Sequence, residues 1–213
     1  MNALLLSITA IICYVSGCVD TPELCCQWFL HKNLRSYGRG QSRFQVLYQE
    51  EGIPGLLKVY LLDVIKIFLT VLIGGWILGI HDHAVTGKVF ALFCLEMGRM
   101  YPVTRRCVGS MGIKELLIGM VAVDSVSGFL VLLFFVAGAY FTRYLSLAGL
   151  IAALGAILGA LVFIRAPMAV PMMIIIFVLM CFRHLNHLVR ILQHKEPQLS
   201  RKTDLSYKFD ENF

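Results

Sequence analysis

The sequence predicts an all-α fold: a polytopic transmembrane bundle of six or seven helices, some of them short or broken. Three observations carry that reading. First, 58% of the 213 residues are apolar and only 15% are charged, whereas a soluble domain is about 45–50% apolar. Mean hydropathy is +0.76. Second, several segments approach the ~20 apolar residues that cross a bilayer. Third, the basic residues behind the net charge of +6 collect between the apolar runs. No polar stretch is long enough to bury a core of its own. The chain therefore reads as one integral-membrane domain over 1–199, with a mobile tail over 200–213.

The elements follow from the apolar runs. Ala3–Gly17 is a first helix, with a possible continuation through Cys25–Leu30 after the Asp20-Thr21-Pro22 interruption. His31–Leu57 is polar and closes on Gly52-Ile53-Pro54-Gly55. Leu56–Ile80 is a span that carries Asp63 and Lys66, three residues apart and able to neutralise each other on one helix face. His81-Asp82-His83 makes a turn, and Val85–Met97 is a short or tilted span. Leu116–Phe141 contains Asp124-Ser125 and Gly128, and is long for one helix yet short for two full spans. Leu145–Ile164 is rich in small residues, and its Gly155 and Gly159 allow close helix approach, as do Gly75 and Gly79. Met168–Phe182 is the last span.

Basic residues crowd positions 32–43, 99–114 and 183–202. Cytoplasmic loops of membrane proteins are rich in Lys and Arg. All three clusters fall on one side if the N-terminus is outside, the C-terminus is inside, and Leu116–Phe141 turns back on itself. A break at Asp124-Ser125 would do this.

The same three clusters suit phosphate. Arginine offers planar, bidentate contacts to it, and glycine turns present backbone N–H groups. The first cluster supplies Arg35, Gly38, Arg39 and Gly40; the second Arg99, Arg105, Arg106, Gly109 and Gly112; the third Arg183, His184 and His187. A topology role and an anion-binding role both fit this pattern. The balance favours phosphorylated ligands or lipid headgroups over nucleic acid, because no arginine–aromatic platform for bases is present.

Other chemistries lack an anchor. The seven cysteines form no Cys-x-x-Cys pair and mostly sit in apolar runs, as small core residues do. The groups His81, Asp82, His83 and His184, His187, His194 match no zinc spacing, so no metal is expected. There is no phosphate-cradling Gly-x-x-x-x-Gly-Lys motif and no Gly-x-Ser-x-Gly elbow.

Several stretches resemble the bacterial acyl-phosphate:glycerol-3-phosphate acyltransferases. Thr142-Arg-Tyr-Leu-Ser-Leu-Ala-Gly-Leu150 is similar to that family's Thr-Arg-Tyr-Val-Ser-Leu-Ala-Ser-Leu. Leu61-Leu-Asp-Val-Ile-Lys66 is similar to its Leu-Leu-Asp-x-x-Lys, and Arg183-His184 through Glu196-Pro197 to its Arg-His…Glu-Pro ending. Asn33-Leu-Arg35, Gly38 and Gly40 stand where it has Asp-Ile-Arg and Gly-Ser-Gly-Asn; Gly98, Tyr101-Pro102, Gly109 and Gly112 stand where it has Gly-His-x-Phe-Pro and Lys-Gly-Gly-Lys-Gly. The chain departs at Arg39, Gln41, Arg43–Val46, Arg99, Val108, Ser110, Met111 and His187. The resemblance covers nearly the whole chain. It implies an enzyme of the bacterial plasma membrane with a cytosolic site and no cofactor. Its partners would be acyl phosphate, glycerol 3-phosphate and membrane lipid, and it would transfer the acyl group to the 1-hydroxyl in phospholipid synthesis. It adds Arg143 to the phosphate candidates. For the base that takes the hydroxyl proton the candidate is His184, with His187 beside it, because imidazole titrates near neutral pH; interfacial histidines at a helix end are the other reading of both. A non-catalytic relative binding acyl phosphate, lipid or a partner enzyme is the other reading.

Overall fold

The computed structural model describes residues 3–21, 23–25, 43–80, 83–105, 107 and 109–192, with only the backbone described over 43–51 and 185–192. Among these residues the chain forms seven α-helices: α1 (Ala3–Cys18), α2 (Arg43–Gly79), α3 (Ala84–Met100), α4 (Ile113–Val123), α5 (Ser125–Thr142), α6 (Leu145–Val162) and α7 (Ala169–Leu192). A 3₁₀ turn, Val103–Arg105, lies between α3 and α4. Of the Cys25–Leu30 continuation only Cys25, and of the His81-Asp82-His83 turn only His83, lies within the described residues. The boundary at 199 and 200 lies outside them.

Local chemistry sets the breaks. Gly52 takes φ +67°, ψ −160°, so α2 is two helical segments joined at a kink. Pro54 then sits in the first turn of the second segment, where a missing N–H costs little. Asp124 is extended (φ −151°, ψ 126°) and ends α4. Its carboxylate accepts 2.8 Å bonds from the Ser127 amide and hydroxyl, which caps α5. The expected break within Leu116–Phe141 is thus present, and α5 folds back along α4 with Gly128 against the Val121 backbone. Helix α7 runs to Leu192, past the end of the apolar run at Phe182, because the basic segment from Arg183 continues the helix.

Helix α6 turns its small residues inward and its large ones outward. Helix α6 buries Ser146, Ala148, Gly149, Ala152, Ala153, Gly155, Ala156, Gly159 and Ala160. It exposes Leu154, Leu158, Leu161 and Val162. Trp76 and Phe141 are 74% and 81% exposed. Water would not tolerate such a surface, but lipid does, and helices in lipid associate through close packing at small residues. Helices α5 and α6 are each long and apolar enough to cross a membrane.

Close contacts fix the direction of each helix. Helix α1 runs parallel to α3: Cys13 clusters with Ala91 and Cys94, and Gly17, one turn on, lies against the Leu95 carbonyl and the Arg99 amide; Gly98 meets the Tyr14 carbonyl, and neither glycine has room for a Cβ. Helix α2 is antiparallel to both, with Gly74 against Gly87 and Ala91, and Thr70 against Ser16 (2.7 Å). Gly138 packs on Ala148, Gly155 on Phe134 and Gly159 on Ser127, so α5 and α6 are antiparallel. The second halves of α1 and α3, the first halves of the long α2 segment and of α4, and the α5–α6 corner therefore share one end of the bundle. Met100 and Arg183 meet there as well, which brings α7 to that end. The α6–α7 corner with Arg165 is at the other.

This arrangement is checked by labelling single-cysteine variants with a membrane-impermeant thiol reagent. Cys107, which is exposed, and Arg143→Cys should react from the same side, and Arg165→Cys from the opposite side.

Candidate active site at the charged end of the bundle

Ionisable residues inside a membrane bundle are costly unless paired. Here they converge. Arg99, at the end of α3, is 9% exposed. Its Nη1 is 3.4 Å from Asp20 Oδ1 and its Nε 2.9 Å from Glu115 Oε1. Arg105, on the 3₁₀ turn, pairs with Asp20 Oδ2 at 2.7 Å and with Glu23. Glu115 lies 3.8 Å from Lys114, and Lys114 is bonded to Asp63. Asp63 also pairs with Lys66 at 3.0 Å, as its sequence spacing predicts, and accepts a 2.5 Å bond from the Thr21 hydroxyl. The Lys66 ammonium donates to the Val19 carbonyl at 2.9 Å. One continuous network thus ties together the segment after α1, α2, the end of α3 and the start of α4.

The α3–α4 connection is held over this network by its own bonds. The Arg105 and Cys107 amides donate to the Pro102 carbonyl at 3.1 and 3.0 Å, and the Ser110 amide to the Arg99 carbonyl at 3.2 Å. The Tyr14 hydroxyl donates to the Tyr101 carbonyl at 2.7 Å. From α7, the Arg183 guanidinium donates to the Met100 carbonyl, reaches the Cys107 carbonyl at 3.4 Å and stacks 4.9 Å above the Tyr101 ring. Glycine is required twice in this connection. A Cβ at Gly109 would strike the Arg99 carbonyl, and Gly112 (φ +75°) lies directly against Glu96 Oε2. Glu96 is fully buried, and neither of its carboxylate oxygens has a hydrogen-bond partner among the described residues.

His184 is fully buried beside Arg183 and its Nδ1 is 2.6 Å from the Met180 carbonyl. A carbonyl only accepts, so Nδ1 carries the hydrogen and the lone pair of the neutral ring is on Nε2.

Next to the network runs an apolar groove of about 910 Å³ between α2, α4 and α5. Its walls include Tyr60 and Phe68 from α2, Ile113 and Leu117 from α4, and Leu132 from α5. Lys114 lines it too, so the groove and the ion-pair network meet at one side chain.

Of the residues singled out in the sequence, Arg99, Arg105, Gly109, Gly112, Arg183 and His184 lie together at this end. Arg143 is exposed at the α5–α6 corner with φ 60°, two residues from groove-lining Leu145. Arg35, Gly38, Arg39, Gly40 and Arg106 lie outside the described residues, as does the side chain of His187. The arginines are not bare, as a purely basic loop would leave them: Asp20, Glu23 and Glu115 neutralise them. Sequence reasoning passed over Asp20, Glu23 and Glu96, whose signal was simply a carboxylate inside or beside an apolar run. It read Asp63 and Lys66 as a self-contained pair, whereas Lys114 joins them.

Residues 7–194 match the family model described as glycerol-3-phosphate acyltransferase. Relatives of that name from Thermoanaerobacter sp. (strain X514) and Staphylococcus haemolyticus (strain JCSC1435) are 26% and 24% identical over 198 and 201 residues. The matches cover 93% and 92% of this chain and 98% of each relative. The fold is similar to that of PlsY (YgiH), an integral membrane glycerol 3-phosphate acyltransferase, solved in a glycerol 3-phosphate form (TM-score 0.72, 23% identity, 92% of this chain and 96% of that one). Its lysophosphatidic acid form gives a TM-score of 0.70 at 22% identity, over 91% of this chain and 94% of that one. The family model spans most of the chain, and the chain belongs to the glycerol-3-phosphate acyltransferase family.

Proposed function

We propose that this protein transfers an acyl group from acyl phosphate to the 1-hydroxyl of glycerol 3-phosphate at the cytoplasmic face of a bacterial plasma membrane. The observation that carries this reading is Lys114, shared by the apolar groove and the buried ion-pair network. An amphiphilic acyl donor needs that junction: a dry channel for its tail, and cations where the channel opens. The family's activity and the positive-inside rule support the substrate pair and the orientation, with the N-terminus outside.

The chemistry then needs few parts. The acceptor hydroxyl attacks the acyl carbonyl carbon, the ester C–O bond forms, and the acyl–phosphate C–O bond breaks with its electron pair leaving on phosphate. Acyl phosphate is already activated, so positioning and stabilisation of the departing phosphate supply much of the rate. Lys114, Arg99 and Arg105 are the described cations within the network that would serve it, with Arg143 at the groove's corner. Arg183 acts by holding the loop that carries Arg105. His184 is the group assigned to receive the hydroxyl proton, at Nε2. Arg35, Gly38, Arg39, Gly40, Arg106 and His187 remain candidates for the acceptor phosphate and proton transfer on the strength of the resemblance.

The purified protein supplied with acyl phosphate and glycerol 3-phosphate should yield lysophosphatidic acid and inorganic phosphate in equal amounts. Arg99→Gln should lower kcat/KM by roughly 10²-fold, as losing a charge-assisted phosphate contact in a desolvated site does. No product from the unaltered protein, with donor or acceptor still bound, would instead establish the non-catalytic reading. A second measurement addresses the groove. Leu132 lies near the end remote from the charges, so Leu132→Trp should depress turnover of long acyl donors far more than of short ones. Equal loss across chain lengths would remove the groove from the donor site.

A further inference from the structure

Two carboxylates just after α1 are buried: Asp20 is 5% exposed and Glu23 8%, with Thr21 at 8%. Asp20 divides its oxygens between two arginines, with Oδ1 on Arg99 at 3.4 Å and Oδ2 on Arg105 at 2.7 Å. Glu23 shares the same Arg105 nitrogen. Thr21 bonds Asp63, the carboxylate that holds Lys66 and Lys114. Asp20 and Glu23 thus touch Arg99 and Arg105 directly, and Thr21 reaches both lysines through Asp63. Two anionic oxygens placed on two guanidinium groups is the contact set of an arginine-bound phosphate. Carboxylate and phosphate compete for the same donors, so both cannot hold them at once.

We propose that the carboxylate pair Asp20 and Glu23 is an internal competitor for phosphate. It neutralises Arg99 and Arg105 when no substrate is bound, and it gives way when a phosphorylated ligand arrives. The proposal rests on the reading of Arg99 and Arg105 as phosphate ligands. It adds that Asp20 and Glu23 set the affinity of the site, because the apparent dissociation constant rises as the fraction of protein with uncovered arginines falls. The opposite role is also definite: carboxylates that only hold the arginines in place would strengthen phosphate binding, and their removal would weaken it.

The test uses the full chain in detergent and inorganic phosphate as the probe, with thermal stabilisation read against phosphate concentration at constant ionic strength. Asp20→Asn leaves Arg105 with Glu23 and Arg99 with Glu115; Glu23→Gln leaves Arg105 with Asp20. Each variant keeps every arginine paired, and if one is too unstable to purify the other gives the reading. Half-saturating phosphate should fall roughly three- to tenfold in these variants and rise in Arg105→Gln. Binding lost in Arg105→Gln but unchanged or weaker in the carboxylate variants overturns the competition alone. Phosphate binding that Arg105→Gln leaves intact, or its absence in every protein, removes the reading on which the proposal stands.

Discussion

The structure depends on the ion-pair network that joins Asp20, Arg99, Glu115, Lys114, Asp63 and Lys66. Its members are mostly buried; the Asp63 side chain is 1% exposed and that of Glu115 3%. Breaking one partner of a buried pair leaves an uncompensated charge and costs about 3–5 kcal/mol. The network is therefore less a source of net stability than a constraint on arrangement. Its bonds span 42 residues from Thr21 to Asp63, 51 from Asp63 to Lys114 and 79 from Asp20 to Arg99. Helices that slid by one turn would strand several charges together.

Close packing makes these bonds reachable. Lipid tails are as apolar as leucine, so burial gives helices in a bilayer little reason to associate, and contact at small residues replaces it. Gly17 and Gly98 let the backbones of α1 and α3 touch. That contact sits three residues before Asp20 and one before Arg99, so the carboxylate meets the guanidinium without either chain bending. About three turns earlier on α3, Gly87 against Gly74 does the same for α2. The glycines and the charges are parts of one design: the first set the distance, the second the register.

Helix positions were legible in the sequence because hydropathy reports on lipid directly. The break at Asp124 was legible from length and charge: Leu116–Phe141 is long for one span and short for two, and only a fold-back puts the three basic clusters on one side. Gly98, Gly109 and Gly112 announced a constrained loop. The pairing of the charges was not legible. No acid stands between Arg99 and Lys114 in the sequence; Asp20 and Glu23, which pair with Arg99 and Arg105, come from the segment after α1, and no periodicity connects the two. Glu96 was hidden for the opposite reason. It lies within an apolar run and has no partner among the described residues, so neither spacing nor charge balance drew notice to it. The apolar groove was equally invisible, because it is formed by the faces of three helices that each read simply as lipid-exposed.

Helix α4 shows how one short element serves both halves of the site. It opens at Gly112 in the left-handed conformation, with no side-chain cap, so the partial positive charge of its N-terminus faces the charged end of the bundle. Lys114 stands in its first turn. Below it, Ile113, Leu117, Ile118 and Val121 fall at intervals of four, one and three, which places them on one face, and all four line the groove. A ligand following this helix would have its anionic head against the N-terminus and Lys114 and its tail against the apolar face. The helix is only 11 residues long, because Asp124 ends it and turns the chain into α5. That turn is what brings Leu132 and Phe135 back to close the groove's other wall. An uninterrupted helix over the same residues would cross the bilayer and carry those side chains away. The capping carboxylate at 124, remote from the ion-pair network, is thus the reason the groove beside Lys114 has two sides.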